Sequence, residues 1–153
     1  MATTITRQVA ATEDDANYAH MGDWFVSLSY NSVGWHGGDG TYYDAWCRFQ
    51  DVQVPVGATI ESAYLKYKIY ADTDTGIDCT VQAQAEDDAA RLTSVSDYEN
   101  ATWTTAEQSG LPTVSWTYDE WYTTVDISNV VQEIVDRSGW SSGNHMAFRY
   151  ADI

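Results

Sequence analysis

The stretch Ile60-Glu61-Ser62-Ala63-Tyr64-Leu65-Lys66-Tyr67-Lys68-Ile69-Tyr70 alternates in polarity along its length. Ala63, Leu65, Tyr67 and Ile69 fall on one side, and Tyr64, Lys66, Lys68 and Tyr70 on the other. A period of two marks a strand with one buried and one wet face, whereas a helix repeats every 3.6 residues. The same period recurs on both sides. Upstream, over 44–52, Ala45, Cys47, Phe49 and Asp51 oppose Trp46, Arg48 and Gln50. Downstream, over 79–85, Cys79, Val81, Ala83 and Ala85 oppose Thr80, Gln82 and Gln84. Weaker strand signals cover 5–10, 24–30, 114–117, 123–127 and 146–150. Between two of the strands, Val54-Pro55-Val56-Gly57 reads as a strand end and a turn, because Pro fixes φ and Gly permits a positive φ. Short strands at this spacing, joined by turn-rich loops, predict an all-β sandwich or barrel.

One helix interrupts the pattern. Ile127, Val130, Val131, Ile134 and Val135 form an apolar stripe at helical spacing. The stripe predicts one short helix over about 128–137, with Ser128 as its N-cap and Gly139 as its stop.

Composition narrows the function classes. The 153 residues fit a single domain, 1–153, and 44% hydrophobic with 14% aromatic residues supply a packed core. The net charge of −16 comes from 23 acidic against 7 basic residues. Such a surface repels phosphate backbones and anionic headgroups, which argues against nucleic acid and membrane partners. No run of 18 apolar residues offers a membrane span. The N-terminal Met1-Ala2-Thr3-Thr4-Ile5-Thr6-Arg7 lacks the basic and apolar regions of a secretory signal. Cys47 and Cys79 both fall on apolar strand faces; free core thiols are the favoured reading and one disulfide the alternative. Without a CxxC pair they make no zinc site.

No catalytic constellation stands out. His20, His36 and His145 are isolated in their local context, and there is no GxSxG elbow. A pair of carboxylates carries no information in so acidic a chain. The expectation is a protein that is not an enzyme.

Two binding chemistries remain. Calcium prefers several hard oxygen ligands. Candidate ligands are Asp14 and Asp15, then Asp72, Asp74 and Asp78, then Asp87 and Asp88. The plainer reading is that these are solvated loop acids. The second chemistry is aromatic. The Gly-rich loop 31–43 and its flank carry Trp35, Tyr42, Tyr43 and Trp46, and Tyr64 and Tyr70 flank the two lysines, Lys66 and Lys68. These six are candidate ligand or interface residues, for a glycan or a protein subunit, with packing under loops as the plainer alternative. Trp103, Trp116, Trp121 and Trp140 are assigned mainly to the core or its rim.

The segment Val54-Pro55-Val56-Gly57-Ala58-Thr59-Ile60-Glu61-Ser62-Ala63-Tyr64-Leu65, opened by Arg48-Phe49, resembles the DNRLRE-type, disaggregatase-related family of jelly-roll modules. A second match runs from Val125 to Asn144, and the Asp-Asp-Ala pieces at Asp14 and Asp87 add weaker ones. The resemblance implies a jelly-roll β-sandwich, similar to carbohydrate-binding modules, as found in surface proteins and phage structural proteins, without catalysis. It implies a virion or extracellular setting. Family members continue past the strand corresponding to 146–150 into a closing strand. The expectation here is therefore a sheet edge that is left open or is filled by the chain's own N-terminus or by another subunit, an open edge inviting strand addition from a subunit or virion component.

Overall fold

A computed structural model describes residues 2–26, 30–70, 79–109, 111 and 115–152. The chain is an all-β sandwich. Among the described residues the strands are β1 (Asp15–Ala19), β2 (Asp23–Val26), β3 (Gly34–His36), β4 (Thr41–Phe49), β5 (Lys66–Lys68), β6 (Cys79–Ala83), β7 (Gln108–Ser109), β8 (Trp121–Thr123) and β9 (Met146–Asp152). Two short helices are α1 (Val95–Asn100) and α2 (Ser128–Val135). The strands divide unevenly. Seven form a sheet in the order β2-β1-β4-β9-β6-β7, with β3 also paired to β4, and β5 and β8 form a second sheet of two. No helix among the described residues is long and apolar enough to cross a membrane.

Alternation along β4 explains the layering. Cys47 and Phe49 lie opposite Phe148 and Met146 of β9, and with Val81 and Ala83 of β6 they make the inner face. That face packs on Leu65, Ile127, Val130, Val131, Ile134 and Val135, the apolar sides of the small sheet and α2. Burying each such side chain contributes about 1.5–3 kcal/mol. The residues between them on β4 and β9, Trp46 and Ala147, face the other way. There they meet Ala16, Ala89, Leu92 and Tyr98, so α1 and the segment before it cover the outer face.

The small sheet is longer in hydrogen bonds than in ladder residues. Thr124 donates its N–H to the Leu65 carbonyl at 2.9 Å, and the Leu65 N–H returns to the Thr124 hydroxyl at 3.1 Å. Two residues on, the Ala63 N–H donates to Asp126 Oδ1 at 3.0 Å. Side-chain oxygens thus continue the pairing where the backbone turns away into α2. The same Asp126 oxygen accepts the Ser128 N–H at 2.8 Å. Asp126, not the expected Ser128, therefore serves the start of the helix, and Ser128 is its first residue. The helix ends at Val135, ahead of Gly139. Gly139 has a packing role: a Cβ there would overlap the Asp87 carboxylate, which pairs with Arg137 at 2.7 Å.

Other expectations shift. Residues 2–10 form no strand, although Ile5 and Val9 are half-buried. The strand predicted over 24–30 is Asp23–Val26, with 27–29 outside the described residues. That predicted over 123–127 lies earlier, at Trp121–Thr123, because Thr124 and Asp126 pair through side chains. Over 114–117, Val114 is outside the described residues and Trp116 is a buried core residue. The turn at Pro55 forms as read, with the Ala58 N–H donating to the Pro55 carbonyl and Gly57 at φ +73°.

Asp14 ties three segments together. Its side chain is fully buried and accepts from Arg48 at 2.9 Å, Arg91 at 3.0 Å and Gln50. Burial alone would raise its carboxyl, but the bonds from Gln50, Arg91 and Arg48 outweigh that and hold it below the ordinary 3.8. A depressed carboxyl stabilises the fold above its unfolded value and loses that contribution as pH falls through its folded value. Asp14→Ala strands the Arg48 guanidinium beneath the surface, and should cost about 3 kcal/mol at pH 7 in urea unfolding. The gap between variant and wild type should narrow as the pH is taken below 3.8. A gap that stays constant across that range would rule the ion pair out as the cause.

Candidate functional site

Among the described residues the small sheet leaves one edge of β5 without a partner. Leu65, Tyr67 and Ile69 direct their backbone groups to β8, through Thr124, Tyr122 and Glu120. By alternation, Tyr64, Lys66 and Lys68 direct theirs the opposite way. Among the described residues no strand or loop pairs with that side. Beside this edge runs an open groove of about 2560 Å3 between the two sheets. Its floor includes Cys47, Phe49 and Phe148 of the large sheet, and residues 2–9 lie along it. Arg7 tethers that segment by donating to the Asp51 carbonyl, with Asp51 Oδ2 at 3.4 Å.

The predicted aromatic residues separate into three groups. Tyr64 and Tyr70 project outward from β5 and are exposed. Trp121 joins them; it is 56% exposed, with Lys66 Nζ 5.2 Å from its ring centroid. This corrects its assignment to the core or rim, because β8 presents position 121 on the outer side of the small sheet. Trp35 and Tyr42 form a second exposed pair, directly opposite each other across β3 and β4 with ring centroids 4.9 Å apart. Tyr43 faces the other way and donates its hydroxyl to Asp39 at 2.6 Å. That hydrogen bond, with some burial, pushes the Tyr43 phenol up to about 12. Trp46 belongs to none of these groups. It is 0% exposed, tilted against Trp24 under Ala89, Leu92 and Tyr98, and is a packing residue rather than a contact residue. Alternation gave its face correctly, but that face is covered.

The acidic candidates do not converge. Among the described residues no three His, Cys, Asp or Glu side chains are grouped to hold a metal ion. Asp14 is occupied by two arginines and Gln50. Burial raises the neighbouring Asp15 carboxyl, and the Asp14 charge adds to the effect. Asp87 pairs with Arg137. Asp88 accepts from the backbone and the ring of His145, and the backbone bond foremost holds its carboxyl low. Asp14, Asp87 and Asp88 therefore serve as internal partners of cations and amides, while Asp15 has the Asp14 charge beside it. Asp72, Asp74 and Asp78 lie outside the described residues.

Each histidine meets a carboxylate: His20 with Asp44 at 3.1 Å, His36 with Asp39 at 2.9 Å, and His145 with Asp88. Asp44 is buried and also accepts the Tyr98 hydroxyl at 2.6 Å. Both cysteines are free thiols. They lie on the inner face, and burial pushes the Cys47 thiol up to about 12. Searches against family models, curated proteins and solved structures return no match for this chain.

Cys79 is buried, and Cys47, although it borders the groove, has its thiol held protonated by its apolar surroundings, so both are poor nucleophiles. Ellman's reagent at pH 8 should therefore react slowly with the native chain and report two thiols only after unfolding in guanidinium. One thiol reacting at the rate of free cysteine in the native state would contradict the packing of Cys47 and Cys79.

Proposed function

We propose that this chain is a non-enzymatic structural and interaction module, a virion or extracellular assembly protein that accepts an extended partner segment on the free edge of β5. The observation that carries the reading is the juxtaposition of that edge with the groove. A strand laid against Tyr64, Lys66 and Lys68 gains ladder hydrogen bonds, and every second side chain drops towards Phe49 and Phe148.

Magnitudes say what kind of partner suits it. Two or three buried side chains contribute about 1.5–3 kcal/mol each, and ladder bonds about 1 kcal/mol each. Ordering a free segment costs about 1–2 kcal/mol per residue. The balance is small for a free peptide. It becomes favourable when the segment is already extended, or when many copies are held together in an assembly. A charge of −16 further favours a segment poor in acids.

A second reading, a carbohydrate-binding module for a surface or extracellular polysaccharide, is favoured by the exposed rings of Trp35, Tyr42, Tyr64, Tyr70 and Trp121, although Tyr70 has one face against Tyr30.

Light scattering behind size exclusion, over a hundredfold range of concentration, tests the assembly reading. Association is expected to rise with concentration and to weaken at least tenfold in Lys66→Pro. The Lys66 N–H faces the free edge, so proline removes a donor there without breaking a bond to β8. A strict monomer at millimolar concentration that also captures no component of its own assembly would sink the reading.

A further inference from the structure

In a chain of net charge −16, the stretch Ala2-Thr3-Thr4-Ile5-Thr6-Arg7-Gln8-Val9-Ala10 holds no acid, and its one charge is Arg7. Thr3, Thr4, Ile5, Thr6 and Val9 are β-branched, a composition that suits a strand. The structure nevertheless gives it no partner strand. Residues 2–10 form no helix or strand, and among the described residues none of them enters a backbone-to-backbone hydrogen bond. They lie along the groove beside β5, with Ile5 and Val9 half-buried and the residues between them exposed. Arg7 ties this arm down through its side chain, on Asp51.

The root of the arm is fixed. The Asp14 N–H donates to the Ala11 carbonyl at 2.9 Å, and the buried Asp14 side chain is clamped by Arg48 and Arg91. In its own copy the arm is thus held at two points, Asp14 and Arg7, and on the path so defined it runs beside the β5 edge without pairing to it. The same stretch arriving from another copy has no root here and is free to settle along the edge. Ten residues, 2–11, span up to about 33 Å when extended, which is enough to leave one body and reach the next.

We propose that residues 2–10 are the strand received by the β5 edge, donated by a second copy of this chain. The proposal rests on the assembly reading above and names its partner. By alternation, Ile5, Arg7 and Val9 of the donor share one side and Thr4, Thr6 and Gln8 the other. Ile5 and Val9 take the groove side, towards Phe49 and Phe148, while Thr4, Thr6 and Gln8 continue the outer side of Tyr64, Lys66 and Lys68. Arg7 meets the acceptor's Asp51 as it now meets its own. An arm without acids reaches a body of charge −16 without the repulsion that an acidic segment would meet. Exchange of an element that every copy carries is a low-cost route to association.

Light scattering on the full chain in high salt, where the repulsion between two such bodies is screened, tests the donor separately from the edge. Ile5→Asn combined with Val9→Asn should weaken association at least tenfold, as Lys66→Pro does. Neither side chain is fully buried, and an unchanged midpoint in urea checks that the double variant folds. Cysteine pairing reads the contact directly. Copies carrying Thr6→Cys should form disulfide-linked pairs with copies carrying Lys66→Cys at least tenfold faster than with copies carrying Ser96→Cys, at an exposed position of α1. Association weakened by Lys66→Pro but unchanged or strengthened by the arm variant would overturn the proposal and leave strand addition at β5 standing. Linkage confined within single chains that carry both Thr6→Cys and Lys66→Cys would show the arm closing its own edge, and would overturn the exchange. A strict monomer would overturn it as well, and the assembly reading would fall with it if the chain also captures no other component of its assembly.

Discussion

Strand β4 has a neighbour along each edge and a layer on each face. β1 takes one edge, while β3 and β9 share the other in tandem, β3 at Thr41–Tyr43 and β9 from Ala45 onward. A strand enclosed in this way must be apolar on both sides or satisfy what it buries. On the inner side Cys47 and Phe49 are simply apolar. On the outer side Trp46 is apolar, but Asp44 and Arg48 are not. Each has its own partners: Tyr98 and His20 for Asp44, and Asp14 with the Ala89 carbonyl for Arg48. The polar architecture of the outer layer follows from those two residues. The 84–104 segment brings Tyr98 to Asp44 and the Ala89 carbonyl to Arg48, and its Arg91 joins Arg48 on Asp14.

The parts that the sequence discloses are those where a single physical signal dominates. The strands flanking the Pro55 turn alternate because one face of each lies over the same core. The stripe from Ile127 to Val135 is buried as a unit against the sheet. The signal fails where the inward face of a strand carries polar residues. In β1, Asn17 faces inward and Asp15 beside it is half-buried, so no apolar period survives. In β3, three residues among glycines are too short to show a period at all. Helix α1 has a cap at Ser94, whose hydroxyl accepts the Asp97 N–H, but only Tyr98 of its six residues is buried.

Candidate sites follow the same logic. Exposed rings such as Trp35 and Tyr64 could be guessed because a ring on the wet side of an alternation has nowhere to hide. Trp46 could not be distinguished from them, because alternation reports the face and not what covers it. The acids were least legible. Asp14 and Asp15 are neighbours with the same side chain, yet one is clamped by two arginines and the other is held neutral more easily by its surroundings. Asn17 and Asp39, which border one open pocket beside Tyr43, carry no local signal; 22 residues separate them, and the β1–β4 register together with the β3–β4 turn brings them together.

Thr124 and Asp126 set the register of the small sheet with side chains spaced two apart, at the point where β8 gives way to α2. Such a junction tolerates no change in length: one inserted residue between them would turn one oxygen away from its amide and rotate the helix stripe by about 100° relative to the core. The Gly57 turn, with open space around it, imposes no such lock. Length variation among any descendants of this chain should therefore gather at the tip of that turn and be purged from the strand-to-helix corner, so that the corner serves as a ruler for aligning divergent copies.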